Sequence, residues 1–267
     1  MKLGCNYSPQ LMALIAGGEA PVDYIKAGAF GPFEKELKAM RAALPVLLHG
    51  LGSHERTGMP GFEAYDFARA NRLLAECGSP HLAIHFCITN ADAGPGWSWE
   101  SIGRRMAACT RAFMKNLAMP LLLENIGDTP NERTTFDLLP VVEPEKIGGL
   151  IRETGASMLL DTAHAKITAL YRNWDIKDYI LAFPLSRVRE IHVSGAGFDA
   201  DGAPYDAHGP MEAEDYELLE WALGHTRPDI VTLEYGLAHG SMAEDGTEED
   251  LLREQLLRLR GILQKQA

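Results

Sequence analysis

Cysteine is scarce in this sequence, and its four residues are scattered. Cys5, Cys77, Cys87 and Cys109 form neither a C-x-x-C pair nor a zinc-finger spacing. We therefore expect buried or free thiols in a reducing compartment, which excludes a disulfide framework and a metal site built from thiolates. Only Cys87 lies close in sequence to a candidate site.

Positive charge is also in deficit, and long apolar runs are missing. The chain has 25 Lys and Arg residues against 37 Asp and Glu, a net charge of −12. This balance gives no overall attraction to nucleic acid or to an anionic membrane, although bound divalent cations would offset part of it locally. The start, MKLGCNYSPQ, lacks a signal-peptide pattern, and no run approaches the roughly 18 apolar residues of a membrane span. We expect a cytoplasmic protein whose partners include neither membrane nor nucleic acid.

What the sequence does contain is a regular alternation of strands and helices. Short apolar runs alternate eight times with segments of helical spacing, with no linker or repeat between them. The pattern predicts an α/β protein that forms a single (β/α)8 TIM barrel over residues 1–267. The alternative is a doubly wound open sheet, which would spread its strand ends along an edge instead of around a ring.

Six of the apolar runs end in a side chain that can bind a metal. They are VLLHG, LAIHF, LLLENIG, MLLDTAH, VREIHVSG and VTLEYG, which place His49, His85, Glu124, Asp161, His192 and Glu234 at strand ends. DTAH adds His164, and a glycine-rich loop with the segment YDAHGP adds Asp206 and His208. Because barrel sites lie at the carboxyl ends of the strands, we expect these nine side chains to surround one mouth.

Imidazole and carboxylate donors suit iron, zinc or manganese. Several carboxylates a few ångströms apart cannot all ionise unless cations lie between them. Nine donors are too many for one ion of four to six ligands, so the sequence predicts two or three divalent ions. We expect Glu124, Glu234 and His164 to include the catalytic groups.

Each donor also has a structural interpretation. His49 and His85 are compatible with core histidines bonded to the backbone, and Glu124 with a buried salt bridge. Asp161 is compatible with a helix N-cap, and the Asp206 segment with a solvated turn. All of these interpretations together would require nine independent coincidences at strand ends and loops.

The other polar residues near the mouth have weaker claims. We expect His81 to be structural at the barrel bottom and His225 to end a helix, where a cation meets the helix dipole favourably. Asn125 is our preferred residue for contacting the metal ligands. Further candidates for substrate or supporting contacts are His54, His239, Arg56, Lys166, Trp97 and Trp99.

The motifs resemble the xylose-isomerase-like barrel superfamily. Glu124, Asp161, His192 and Glu234 match the quartet of its sugar isomerases and epimerases, and the added histidines with Asp206 match the trinuclear arrangement of endonuclease IV. Carried over, that arrangement implies three ions. His49, His85 and Glu124 would hold the first; Glu124, Asp161, His192 and Glu234 the second; and His164, Asp206 and His208 the third.

The flanking sequences PVLLHGLGS, LLLENIG, EIHVSGAG and YDAHGP are most similar to the multinuclear non-haem iron oxidative enzymes, the family that includes the methanobactin-biosynthesis oxidase. That resemblance implies iron, oxidative chemistry on a peptide or small-molecule thiol, and a separate partner protein that presents the peptide. Three alternatives remain open. They are a one-metal sugar or polyol isomerase with Glu124 and Glu234 as proton-transfer groups, an endonuclease IV-like phosphoesterase, and a non-catalytic metal-binding scaffold.

Overall fold

Eight parallel strands close into a barrel in the computed structural model, which describes residues 1–31, 33–52, 54–236 and 247–266. Around the barrel the order is β1-β10-β7-β6-β5-β4-β3-β2. The barrel strands are β1 Lys2–Asn6, β2 Tyr24–Ala27, β3 Val46–His49, β4 Leu82–His85, β5 Leu121–Glu124, β6 Ser157–Asp161, β7 Val188–Val193 and β10 Ile230–Leu233. The predicted (β/α)8 barrel is confirmed, and the open-sheet alternative is wrong.

Helices connect the strands on the outside of the barrel. They are α1 Pro9–Gly17, α2 Phe33–Ala43, α3 Phe67–Cys77, α4 Asn90–Ala93, α5 Trp99–Asn116, α6 Pro130–Thr135, α7 Pro144–Thr154, α8 Thr162–Arg172, α9 Ile176–Leu181, α10 Ala213–His225 and α11 Glu249–Lys265. Among the described residues, no helix is both long and apolar enough to cross a membrane.

The segment that carries Asp206 and His208 is not the loop expected from its glycines. It is β9 (Pro204–Gly209), which pairs antiparallel with β8 (Gly195–Phe198) in a hairpin that rises between β7 and α10. Glycine within a strand normally argues against one, which is why the pattern suggested a loop. Here glycine is required, because a Cβ at Gly197 would lie 2.5 Å from the Tyr205 ring.

The inward face of the barrel has two layers. The upper layer, which we call the mouth ring, takes one residue from each of seven strands and the residue that follows β10: Asn6, Lys26, His49, His85, Glu124, Asp161, His192 and Glu234. Two residues earlier on the strands, the same inward face is largely apolar, and Ala83, Leu122 and Leu159 form a separate buried cluster there. The mouth ring therefore rests on a packed floor and opens on one side only.

A buried charged pair interrupts that floor on one side. Glu190 Oε2 lies 2.5 Å from His81 Nε2, and Thr232 donates a hydrogen bond to Glu190 Oε1. Burial acts to raise the pKa of Glu190, but the imidazole of His81 outweighs it and holds the pKa well below its ordinary value. His81 is thus a buried, paired residue below the mouth, as expected.

At the opposite end of the barrel, Asp23 joins the first and last elements of the fold. Its carboxylate accepts hydrogen bonds from the Leu3 backbone N–H at 2.9 Å, from Lys2 at 2.9 Å and from Arg260 of α11 at 2.7 Å. Burial acts to raise the pKa of Asp23, and these three donors lower it below its ordinary value. The carboxylate therefore stabilises barrel closure in its charged form.

We expect Asp23→Asn to lower the free energy of unfolding by about 1–2 kcal/mol at pH 7, since charge-assisted hydrogen bonds contribute about that much. Because the folded pKa lies below the unfolded one, this contribution is present above the unfolded pKa and disappears as the pH falls through the folded pKa. Urea unfolding at neutral and acidic pH measures the effect, and the difference from wild type should close in acid.

The matched control is Asp229→Asn, which removes an exposed carboxylate 3.5 Å from Arg189. Exposed pairs contribute little, so this variant should stay within about 0.5 kcal/mol of wild type. Equal losses in the two variants would contradict a special role for Asp23.

Candidate metal centre

Glu124 lies at the centre of the mouth ring and presents its two oxygens to different neighbours. Oε2 is 2.5 Å from His49 Nε2 and 3.6 Å from His85 Nε2. Oε1 is 3.3 Å from His192 Nδ1 and 3.7 Å from His164 Nδ1. The residue is only 1% exposed. A buried carboxylate between four imidazoles is placed to bridge two cations.

Two sets of donor atoms lie within 4.8 Å of one another throughout. The first set is His49, Glu124 and His192, and the second is Glu124, Asp161, His192 and Glu234. The second set contains the quartet that the resemblance implied. In the first set His192 takes the place that the resemblance gave to His85, whose side chain is 39% exposed.

The hairpin brings a third set of donors to the rim of the mouth. Asp206 Oδ2 lies 3.3 Å from His164 Nε2 and 3.1 Å from His208 Nε2, and the latter is 3.7 Å from Glu234 Oε2. The backbone of His208 has φ of +46°, a left-handed conformation that costs energy for a residue other than glycine. All nine predicted donors therefore reach one mouth.

Hydrogen bonds below the rim orient two of these donors. His164 Nδ1 donates to the Asn125 carbonyl at 2.9 Å, which directs Nε2 at Asp206 Oδ2, 3.3 Å away. Asp161 Oδ1 accepts the His164 backbone N–H as the N-cap of α8, which leaves Oδ2 facing the centre. Asn125 Nδ2 donates to the Asp161 carbonyl, and Asn125 Oδ1 accepts the Asp161 backbone N–H. Asn125 therefore contacts the candidate donors, as expected.

The surroundings of the buried His192 ring test whether the site fits a metal. The residue is 1% exposed, yet neither ring nitrogen has a hydrogen-bond partner among the described residues. Carboxylate oxygens of Glu124 and Glu234 nonetheless lie 3.3 and 3.4 Å from Nδ1, and Glu190 lies 3.3 Å from Nε2. A buried imidazole that faces carboxylates on both sides without an aligned hydrogen bond is the arrangement expected of a metal ligand supported from behind. These nitrogen and oxygen donors fit divalent iron, zinc or manganese.

The carboxylates of the site differ in their affinity for protons. Burial acts to raise the pKa of Glu124, but the neighbouring imidazoles, His49 first, hold it well below its ordinary value. Asp206 behaves in the same way beside His208. Burial prevails at Asp161 and raises its pKa. Cations at the centre would favour the charged form of all three.

The imidazoles divide in a similar way. Burial lowers the pKa of His49 to about 4, so this ring is neutral at pH 7. The pKa of His85 is lowered as well, although its side chain is partly exposed. Burial also acts to lower the pKa of His164, but Asp161 and Asp206 outweigh it and raise it well above its ordinary value. His49 and His85 are therefore already in the form that binds metals.

Two members of the mouth ring were missed by the sequence reasoning. Asn6 ends β1 and is 4% exposed, and Lys26 on β2 is 7% exposed with its ammonium in contact with Glu234. The signal was available in principle, because both follow apolar strand residues at the same end of the barrel as the donors. Neither is a usual metal ligand, so neither belongs to the pattern of imidazole and carboxylate side chains at strand ends.

The weaker candidates are placed as follows. Arg56 pairs with Asp92 at the rim, and Lys166 pairs with Asp215 of α10. Trp99 packs under Lys146, whereas Trp97 is exposed. His54 stacks on Phe30 at the cavity wall, and His225 ends α10 with Nδ1 bonded to the Trp221 carbonyl. His239 lies outside the described residues.

A cavity of about 480 Å³ lies above the mouth ring. Its base is formed by Asn6, Lys26 and seven of the nine candidate donors, all but Asp161 and His192. Its apolar wall is formed by Phe30, Ile126, Phe136 and Leu138. Cys87 also lines it, and burial raises the pKa of that thiol to about 12. A pocket of this size accepts a small molecule or one end of a longer chain.

Comparison with known proteins agrees with this geometry. The chain is 26% identical to a UPF0276 protein of Bordetella pertussis over 215 residues, covering 76% of this chain and 73% of that protein. It is 26% identical to a UPF0276 protein of Pseudomonas aeruginosa, covering 91% and 88%. A xylose isomerase domain protein of Alicyclobacillus acidocaldarius has the same fold, with a TM-score of 0.65, 16% identity and coverage of 100% and 99%.

A family profile adds a more specific match, and it confirms both the superfamily and the branch that the motifs predicted. The profile described as RiPP precursor modification enzyme MbnB/TglH/ChrH matches residues 3–254, so the chain belongs to that family.

Proposed function

We propose that this protein is an iron-dependent oxidative enzyme that acts on a thiol of a peptide or small molecule. The observation that carries the proposal is Glu124, whose two oxygens face two donor groups inside one closed barrel. Family membership supports the coarser statement, a metal-dependent barrel enzyme. The proposed ligands of two or three ions are His49, His85, Glu124, Asp161, His164, His192, Asp206, His208 and Glu234.

The donor set supports more than one ion. Four carboxylates converge on the mouth, and Lys26 offsets the charge of one of them, Glu234. With the carboxylates ionised and the imidazoles neutral, as metal binding requires, the remaining charge of about −3 exceeds what one divalent ion offsets. Iron is favoured over zinc and manganese because the proposed reaction is an oxidation. Bound iron would supply the one-electron chemistry needed to use dioxygen on a thiol.

The residues of the chain perform the remaining tasks. Glu124 bridges the two inner donor groups, and His164 holds its Nδ1 proton on the Asn125 carbonyl while Nε2 faces the rim. Glu234 is restrained by Lys26 on one side and faces His208 on the other. The apolar wall of the cavity limits water at the reacting centre. Glu124, Glu234 and His164 are the groups we propose as catalytic.

The substrate we propose is a precursor peptide, which the family description supports. The cavity takes a side chain or a chain end, so most of the peptide would lie outside it. Phe136 and Phe198 are 52% and 59% exposed, and Phe136 also lines the cavity. These apolar side chains support our proposal that a separate partner protein helps to present the peptide.

The alternatives have less support. A one-metal isomerase has no use for the rim donors. A phosphoesterase acting on nucleic acid needs Lys or Arg side chains that contact the phosphates. Here Arg56 is paired with Asp92, and Arg133 is paired with Asp128 at 2.5 Å. An abasic-site cleavage assay with zinc or manganese tests this alternative directly, and we expect no activity.

Metal content tests the central claim. Protein purified without air should contain about two or three irons per chain, with a mixed-valent signal in Mössbauer or EPR spectra. Glu124→Gln should lose about one ion or more, because an amide bridges cations poorly. Asp215→Asn, a buried carboxylate outside the ring, is the control and should keep the full count. Wild-type protein that carries only zinc and does not respond to iron loading would contradict the oxidative proposal.

The rim donors test the ion count separately. His208→Ala should lower the metal content by about one ion while the barrel remains folded, since His208 lies on the hairpin and not on a barrel strand. His225→Ala, at the end of α10, serves as the control. Retention of metal and activity after alanine replacement of His49, His85 and His208 would instead favour the single-metal isomerase.

A further inference from the structure

Two members of the mouth ring, Asn6 and Lys26, offer hydrogen-bond donors instead of metal ligands. They are register partners on the parallel pair β1–β2, so their side chains are neighbours on the inward face. Both line the cavity above the candidate metal centre. Within the mouth ring, they are the two non-imidazole side chains that offer N–H donors directly to a ligand.

The Asn6 amide has a buried N–H group that no atom of the described residues satisfies. Asn6 is 4% exposed, and its Nδ2 has no hydrogen-bond partner among the described residues. Leaving a buried N–H group unpaired is costly, so buried amides are almost always satisfied by protein, water or ligand. An acceptor in the cavity is the missing partner.

Lys26 adds a charge beside that amide. Its ammonium carries three N–H donors, and within the described ranges its single ion-pair partner is Glu234. When Glu234 binds a cation, Lys26 loses part of its compensating negative charge. An anionic acceptor in the cavity would restore it.

We propose that Asn6 and Lys26 together bind a carboxylate of the substrate beside the metal centre. The inference rests on the proposed function, because it assigns the second attachment point of a thiol substrate whose sulfur faces the ions. Two acceptor oxygens match one amide donor and one ammonium donor, and the charge of Lys26 favours an anion over a neutral amide. The other ring members are imidazoles and carboxylates, so Asn6 and Lys26 are the members whose donors would orient a substrate carboxylate.

The test compares two thiol probes, 3-mercaptopropionate and 3-mercaptopropionamide, which differ only in that one ends in a carboxylate and the other in a neutral primary amide. Their affinities for the iron-loaded full chain are measured by isothermal titration calorimetry without air, and iron is counted in every sample. We expect the wild-type protein to bind the acid at least about tenfold more tightly than the amide, as a charge-assisted hydrogen bond provides.

Variants then assign the preference to the two residues. Lys26→Met should reduce the acid-to-amide ratio to about twofold or less, and Asn6→Ala should weaken acid binding by a smaller factor, about threefold to tenfold, as loss of a neutral donor does. Lys166→Met, whose ammonium pairs with Asp215 outside the cavity, should leave the ratio unchanged. If Lys26→Met does not fold, the wild-type ratio and the Asn6→Ala variant still decide the question.

The outcomes separate the two proposals. Full iron content with equal affinity for both probes, with no binding of either, or with an acid preference that survives in Lys26→Met overturns this inference alone. Wild-type protein that takes up no iron overturns the proposed function and, with it, this inference. A preference that disappears in Lys26→Met at unchanged iron content supports the assignment.

Discussion

The structure depends on the crowding of acidic side chains at one end of a closed barrel. Glu124, Asp161, Asp206 and Glu234 lie within contact distance of a common set of imidazoles, and three of the four are almost fully buried. In a medium of low polarity such a group is stable only when positive charge lies between its members. Histidines and Lys26 supply part of that charge, and bound divalent cations would supply the rest.

The rest of the fold holds these side chains in place. Six donors lie at or beside the ends of barrel strands, where backbone pairing on both sides limits movement. The floor beneath them is packed, and on one side Glu190 reaches up from its pair with His81 to the back of His192. The hairpin then brings Asp206 and His208 over the rim. The inner candidate donors are therefore held by barrel strands, and the outer pair is held by a separate hairpin.

Membership of the MbnB/TglH/ChrH family is consistent with a metal-dependent barrel enzyme. The geometry adds what a family assignment does not contain. Glu124 faces two donor sets, His192 has unpaired nitrogens, and the cavity has an apolar wall and one corner rich in donors. Each of these features is formed by residues at or near strand ends, so the barrel architecture determines which side chains meet at the site.

The sequence by itself determined the barrel and the nine donors, because apolar strand runs ending in histidine or carboxylate follow a periodicity that local chemistry controls. Only the tertiary structure decided how the donors group, since the distances between strand ends depend on barrel closure and not on spacing along the chain. It placed His192 instead of His85 in the inner set, and it converted the expected loop at Asp206 into a hairpin strand. It also placed Asn6 and Lys26 beside the candidate metal ligands. Residue types that rarely bind metals can be assigned to such a site only when their neighbours in the barrel are known.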